Sequence, residues 1–155
     1  MKEFIGVWVI EKESGLPLTS YETGSQIDSN MFGAFLVALR SMTNDFEIGQ
    51  LSSFSTDTSN LLITTSEKIM SVLAVTKTAN ADCWYPLLVK IHEITEKYYC
   101  SYILDHQILD SEDFAKLSSE FKDQVERHQE ELKLSQKRTK QEAKAKKRLE
   151  DSGLW

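Results

Sequence analysis

The fold is decided by the stretch from Phe4 to Tyr21, FIGVWVIEKESGLPLTSY. Its first part, Phe4–Ile10, is apolar on both alternating sides, which is typical of a central strand covered on both sides. Ser14–Gly15 provides turn residues. Pro17 cannot donate to a strand ladder, so a second strand begins there or lies at an edge. The stretch therefore predicts a β-hairpin.

Five more hydrophobic patterns follow the hairpin. They predict a helix, three strands and a second helix over Met31–Phe46, Gly49–Phe54, Leu61–Thr65, Ile69–Val75 and Trp84–Tyr99. The runs Phe4–Ile10 and Ile69–Val75 are the most continuously apolar, so we place them in the middle of the sheet. We expect an α+β fold with a five-stranded antiparallel sheet in the order 2-1-5-4-3 and both helices on one face.

The first helix is apolar nearly all round. One stripe consists of Phe32, Phe35, Leu36, Leu39 and Phe46, and the other side carries Met31, Ala34, Val37, Ala38 and Met42. A helix that covers only a sheet needs one stripe, so the second side requires a cover from the third helix or from a partner. We predict that the core includes Phe35, Leu39, Trp84 and Leu88.

Pro86 indicates where the second helix begins. Proline is tolerated in the first turn of a helix, where its missing N–H would be unpaired anyway. With Asp82 as the N-cap, the helix is predicted to begin at Cys83.

We divide the chain into a main domain (residues 1–100), a connector (101–110), a C-terminal helix with a basic end (111–149) and a short tail (150–155). The apolar stripe of the C-terminal helix consists of Phe114, Leu117, Phe121, Val125, His128 and Leu132. The stripe ends after Leu134, so residues 137–149 are predicted to be poorly ordered or a solvent-exposed helix.

Charge is unevenly distributed along the chain, whose net charge is −6. Residues 133–149 hold eight basic residues against Glu142 alone, whereas the first 132 residues carry a net −11. The basic tail comprises Lys137, Arg138, Lys140, Lys144, Lys146, Lys147 and Arg148. It is interpreted as a solvated helix end, as a weak electrostatic contact with an anionic membrane, or as a nucleic-acid contact. The acidic body and the lack of aromatic residues in the tail before Trp155 argue against nucleic acid.

The sequence predicts a cytoplasmic protein, peripheral to membranes if the basic tail contacts them. Phe4–Ile10 is too short for a signal-peptide core, and no stretch approaches the ~20 apolar residues of a membrane span. Cys83 and Cys100 lack metal-site spacing, which indicates free thiols in a reducing compartment.

The sequence offers no catalytic constellation, metal site or cofactor motif. His92, His106 and His128 are scattered, and His106 with Cys100 matches no established metal-site spacing. The chain has no Gly-x-Ser-x-Gly elbow and no phosphate-binding loop. Asp82 is interpreted as a helix cap and not as a general base. We therefore expect a protein that is not an enzyme and needs no cofactor.

The stretch Phe4–Tyr21, the helix Asp28–Phe46 and the element order up to about Tyr99 resemble the longin domain. The likeness is strongest to archaeal longin-like proteins of the roadblock/longin superfamily. Roadblock domains are a permuted relative that begins with a helix, which this chain lacks. The resemblance implies a non-enzymatic platform that binds or regulates a Ras-like small GTPase, or scaffolds a vesicle-trafficking complex. It transfers no catalytic residue and does not explain residues 100–155.

The first helix and the edge strand Gly49–Thr56 form a candidate partner surface. The candidate residues are Ala34, Val37, Ala38, Ser41, Leu51, Ser53 and Phe54. The strand carries no lysine, proline or inward charge that would block pairing. Relatives dimerise in a similar way, so the partner is expected to be a small GTPase or a longin or roadblock paralogue, in a homodimer or heterodimer.

Two alternatives to this partner surface remain open. In the first, the third helix folds back over Met31, Ala34 and Val37 and leaves a monomer. In the second, the domain is a PAS-like small-ligand sensor, because such a domain also pairs a five-stranded sheet with helices. A small molecule retained after purification favours the sensor.

Overall fold

The structure is a computed structural model that describes residues 3–23, 29–45, 52–104 and 111–153. Its helices and strands follow one another in the predicted order. They are β1 (Phe4–Glu11), β2 (Pro17–Glu22), α1 (Ser29–Asp45), β3 (Ser53–Ser55), β4 (Ser59–Thr65), β5 (Ile69–Thr76), α2 (Ala81–Leu104) and α3 (Ser111–Asp151). Residues 49–51 of the predicted third strand lie outside the described residues.

The five strands form one antiparallel sheet in the order β2-β1-β5-β4-β3, which confirms the predicted order. β1 and β5 pair in the centre, with Val7 opposite Leu73. Every residue of β5 from Ile69 to Val75 is buried, which explains why its sequence is apolar without alternation.

Helices cover both faces of this sheet. On β1, Val7 and Val9 face a core that includes side chains of α2 and α3, whereas Trp8 and Ile10 face a second core that includes α1. Successive side chains of a strand point to opposite faces, and those of β1 are apolar on both, so each face needs its own cover. The prediction that both helices lie on one face was therefore wrong.

α1 is positioned by a backbone contact between two glycines. Gly15 has a φ of 73° in the turn after β1, and a Cβ atom on Gly33 would overlap the carbonyl oxygen of Gly15. Beside this contact, Leu36 is fully buried and Phe32 packs on Trp8 with the ring centroids 4.8 Å apart. The side of α1 that carries Gly33 and Leu36 therefore faces the sheet.

This orientation decides which predicted core residues are buried. Trp84 and Leu88 are buried on α2, as predicted. Phe35 is 52% exposed, so its assignment to the core was wrong, and Leu39 is only half-buried. The predicted stripe of α1 is correct at Phe32 and Leu36, whereas Phe35 is directed away from the sheet because Gly33 contacts the hairpin turn.

α2 begins two residues earlier than predicted. The Asn80 side-chain oxygen accepts a hydrogen bond of 3.1 Å from the backbone N–H of Asp82, and the Cys83 N–H donates to the Asn80 carbonyl at 3.0 Å. Asn80 is thus the N-cap, and the predicted start at Cys83 was wrong. Pro86 lies inside the helix, where its ring removes the N–H that would bond the Asp82 carbonyl. Both residues are exposed, so water can replace that bond.

α3 packs on β2 and α2, on the face opposite α1. Its predicted stripe is confirmed at Leu117, Phe121 and Val125, which are buried. The Ser118 hydroxyl also donates a hydrogen bond of 2.7 Å to the Ser20 carbonyl of β2. The hypothesis that the third helix folds back over α1 was therefore wrong.

The boundary between the domain and its connector also differs from the prediction. α2 continues to Leu104, so the predicted connector begins with helical residues, and residues 105–110 lie outside the described residues.

Candidate protein-interaction surface

One side of α1 carries exposed apolar side chains. We call it the outer α1 face, and it consists of Ala34, Phe35, Ala38, Ser41 and Met42, all exposed. Phe35 is 52% exposed and Met42 is 55% exposed. Ala34, Ala38 and Met42 are four residues apart, and Phe35, Ala38 and Ser41 are three apart, so the five form one continuous side of the helix.

The outer α1 face carries no charged side chain because the nearest charge is turned away from it. The Arg40 guanidinium donates to the Lys12 carbonyl at 3.4 Å and lies 3.9 Å from the Glu13 carboxylate, both in the hairpin turn. Arg40 therefore contributes to holding α1 on the hairpin. The outer face is left apolar and neutral, which is the composition of a surface that another protein covers.

The edge strand β3 lies next to this helix. β3 pairs with β4 on one side only, and among the described residues no strand lies on its outer side. The Phe54 ring meets the Phe35 ring edge to face, with centroids 6.1 Å apart. The ring contact links the outer α1 face and the open edge of β3 into one surface, which we call the α1–β3 surface.

The predicted interface residues fall into three groups. Ala34, Ala38, Ser41 and Ser53 are exposed on the α1–β3 surface. Val37 and Phe54 are half-buried, since Val37 packs against Gly15 and Phe54 packs on the core under α1. Leu51 lies outside the described residues.

The candidate residues predicted from the sequence did not include Phe35 and Met42, the two large exposed side chains of this surface. A signal was present at Gly33. A glycine within a helix indicates a close backbone approach. Placing Gly33 toward the sheet would have directed Phe35 and Met42 outward.

The opposite face of the sheet contains a buried polar pair. His92 Nδ1 of α2 and Ser71 Oγ of β5 are 2.7 Å apart, and both residues are buried. Burial lowers the pKa of His92, and the nearby Glu96 and Glu93 carboxylates oppose that shift. His92 Nε2 has no hydrogen-bond partner within the described part of the chain. The pair lies inside the packed core, where no substrate would reach it.

A cleft of about 740 Å³ lies between α3 and the end of the sheet where β1 begins and β2 ends. Its lining includes Glu3, Tyr21, Trp84, Glu126 and Lys133. The Trp84 indole N–H donates to the Glu3 carboxylate at 3.0 Å, so this acidic group is engaged within the chain. The cleft combines both signs of charge with little exposed aromatic surface, since Trp84 is only 2% exposed.

The described residues contain neither a metal-ligand cluster nor a membrane-spanning helix. No group of three or more histidine, cysteine or acidic side chains is arranged to hold a metal ion in residues 3–23, 29–45, 52–104 and 111–153. No helix in the same ranges combines the length and apolar character of a bilayer span.

Comparisons with known proteins agree with the fold. No protein-family profile matches the chain, and no curated protein matches it significantly. A solved roadblock/LC7 domain from Streptomyces avermitilis is similar, with a TM-score of 0.53 and 12% identity over 63% of this chain and 87% of that chain. The chain therefore has the fold of the roadblock/longin superfamily.

Weaker likenesses extend to gliding proteins. The MglB structure from Thermus thermophilus has a TM-score of 0.46 and 14% identity over 76% of this chain and 79% of that chain. MglB from Myxococcus xanthus has a TM-score of 0.43 and 12% identity over 67% of this chain and 85% of that chain. The choice between longin and roadblock type stays a prediction.

Proposed function

We propose that this protein is a non-enzymatic interaction platform that pairs with a second domain of the same fold through the α1–β3 surface. The observation that carries this proposal is the exposure of Phe35 and Met42, at 52% and 55%, beside an open strand edge. Burying two such side chains against a partner is favourable, and an apolar patch of this kind usually marks an interaction site.

The geometry suits a two-fold arrangement. Two β3 strands can pair along their outer sides and join two sheets into one, because each edge offers unpaired backbone groups. The same two-fold axis brings α1 against α1 of the second copy. Ala34, Ala38 and Ser41 are small, so the two helices can approach closely while Phe35 and Met42 fill the space beside them. The second copy is either this chain or a paralogue.

The client of the paired platform is proposed to be a Ras-like small GTPase. This step rests on the resemblance of the sequence to longin domains and on the superfamily fold. Regulation of the GTPase and scaffolding of a trafficking-type complex are both consistent with such a platform.

The PAS-like sensor receives less support from the described residues. Buried side chains fill both faces of the sheet, including Trp8 under α1 and Trp84 under α3. The cleft beside α3 borders the layer that contains Trp84, which is itself buried.

Pairing is tested by sedimentation of the full chain over a range of concentrations. The unmodified protein is expected to dimerise in the micromolar range, and Ala38→Glu is expected to give a folded monomer. Tyr85→Glu is the matched control, because Tyr85 is 47% exposed but lies on α2. A monomer at high micromolar concentration for the unmodified chain overturns the homodimer, and pairing that persists in Ala38→Glu overturns the surface assignment.

The client is tested by capture of purified small GTPases in both nucleotide states. Binding to at least one of them, with a preference for one state, supports the proposal. Equal retention of all GTPases and of an unrelated protein contradicts it.

A further inference from the structure

α3 continues far beyond the part that packs on the domain. The helix has 41 residues, which corresponds to about 60 Å. Its inner stripe ends with Leu132, which is half-buried, and every residue from Lys133 to Asp151 is exposed. Roughly 28 Å of helix therefore extends into solvent.

The positive charges of this segment are concentrated on one side of the helix. At 3.6 residues per turn, six basic residues fall within an arc of about 100°. We call them the basic stripe, and they are Lys133, Lys137, Lys140, Lys144, Lys147 and Arg148. From Lys133 to Lys147 the successive members are three or four residues apart, and like charges at this spacing destabilise an isolated helix.

The basic stripe is not neutralised within the chain. Among described residues, no acidic side chain comes within ion-pair distance of it. A surface of negative charge would relieve the repulsion among these basic side chains.

A surface of that kind lies on α3 itself, nearer its start. Asp123, Glu126 and Glu130 are exposed and lie on the same side of the helix as the basic stripe. We call them the acidic segment. It points away from the buried Phe121 and Val125, and Glu126 lies at the border of the cleft between α3 and the domain.

We propose that two copies of this protein pair through antiparallel α3 helices, with the acidic segment of each against the basic stripe of the other. In the proposed register, centred between Lys133 and Leu134, all three acidic residues meet basic residues, and the two Lys133 side chains lie near each other at the axis. It places Glu130 opposite Lys137, Asp123 opposite Lys144 and Glu126 beside Lys140 of the second copy.

Three residues on this side break the pattern: the register pairs two of them with each other, whereas the third, Lys122, lies beside Lys144 of the second copy. Lys116 is basic in the acidic half, and Asp151 is acidic in the basic half. The register places these two residues opposite each other, so complementarity is retained where both signs are reversed. Two-fold symmetry makes every pair occur twice.

The surrounding structure leaves room for this pairing. The buried stripe of each α3 is directed away from the proposed seam, so the two domains lie on the outer sides of the helix pair. Leu134, which is 57% exposed, lies at the centre and provides an apolar contact near the axis. Exposed ion pairs are individually weak and screened by salt, so the pairing is expected to depend strongly on ionic strength.

An anionic membrane is the competing partner for the basic stripe. The acidic segment lies on the same side of the same straight helix, so a membrane that attracts one half repels the other. A second copy in antiparallel orientation satisfies both halves, and the charge pattern therefore favours it.

The first test is zero-length carbodiimide cross-linking of the full chain, which joins lysine to carboxylate side chains in contact. Unlabelled and nitrogen-15-labelled chains are mixed at low salt, and cross-linked peptides are identified by mass. We expect mixed-isotope links between Lys140 and Glu126 and between Lys144 and Asp123. Within one straight helix these pairs are about 21 Å and about 32 Å apart, so a link reports contact between two chains. Absence of mixed-isotope links overturns the proposal.

The second test exchanges charges in an Ala38→Glu background, which separates this interface from the α1–β3 surface. One variant carries Lys137→Glu, Lys140→Glu and Lys144→Glu, and the other carries Asp123→Lys, Glu126→Lys and Glu130→Lys. Each alone is expected to self-associate at least about tenfold more weakly than the background chain, while their mixture regains association. All changed residues are exposed, and unchanged thermal melts confirm that the variants are folded.

Three outcomes contradict the proposal in this second test. One is self-association that does not change in either variant. Another is a mixture that behaves like the separate variants. The last is a background chain that remains monomeric but binds phosphatidylcholine vesicles containing phosphatidylserine, which assigns the basic stripe to a membrane.

Discussion

Gly33 and Gly15 are in backbone contact where α1 crosses the first hairpin turn, and neither position has space for a Cβ atom. We expect Gly33→Ala to lower the free energy of unfolding by about 1–3 kcal/mol, because the added methyl group displaces α1 from the turn. Urea denaturation measures the change.

The control for this contact is Ala34→Gly, the reverse change at an exposed neighbouring position. It should cost only the helix propensity of alanine, about 1 kcal/mol. A Gly33→Ala protein that is as stable as the unmodified chain, or more stable, contradicts the contact.

A second prediction compares the truncation of a buried leucine on α2 with that of a half-buried leucine on α1. Leu88→Ala is expected to cost about 2–5 kcal/mol, since Leu88 is fully buried between α2 and the sheet. Leu39→Ala should cost less, because Leu39 is half-buried. Thermal melts compare them, and equal losses in the two variants argue against the orientation of α1.

The central strands were predictable from the sequence, whereas the orientation of α1 was not. β1 is apolar from Phe4 to Ile10, and β5 is apolar from Ile69 to Val75 apart from Ser71, and a position inside the sheet explains such runs. The side of α1 that faces the sheet depends on Gly33 meeting Gly15, which is a contact between residues distant in sequence. The spacing of apolar residues alone assigns Phe35 to the core, because its side chain is large and hydrophobic.

The candidate surface was predicted in part for the same reason. Ala38 and Ser53 were recognised because the helix has a second apolar side and the strand lies at an edge. Phe35 was assigned to the core because its side chain is large and apolar, whereas Met42 was placed on the second apolar side but not among the candidate residues. The start of α2 was misplaced because the Asn80 cap outweighs the preference of Pro86 for the first turn.

A third prediction concerns pH. The pKa of His92 is lowered in the folded state by burial, from an ordinary value of 6.5. The unfolded chain therefore takes up a proton before the folded chain does. The contribution of His92 to stability is complete above pH 6.5 and decreases as the pH falls from there toward the lowered pKa.

Urea denaturation at a series of pH values checks this dependence. His92→Asn keeps a polar group near Ser71 but does not titrate in this range, so its stability should decrease less on acidification. An identical decrease in the variant and in the unmodified protein would show that other groups cause the acid sensitivity.

A fourth prediction concerns the projecting part of α3. Deleting residues 137–149 should change the free energy of unfolding by less than about 0.5 kcal/mol, because every residue in that range is exposed. Phe121→Ala is the contrasting variant, with an expected cost of about 3–5 kcal/mol, since Phe121 is fully buried. A large loss from the deletion would mean that the projecting segment contacts the domain.

The two edges of the sheet differ in how they accept another strand. At β2, the Ser118 hydroxyl donates a hydrogen bond to the Ser20 carbonyl, and α3 packs along the strand. The outer side of β3, by contrast, is open among the described residues. When two chains pair through β3, the two β2 strands form the outer edges of the joined sheet. Each β2 strand is already in contact with α3 of the same chain. Strand addition then stops at two chains. The protein can display a pairing edge without providing the template for a fibre.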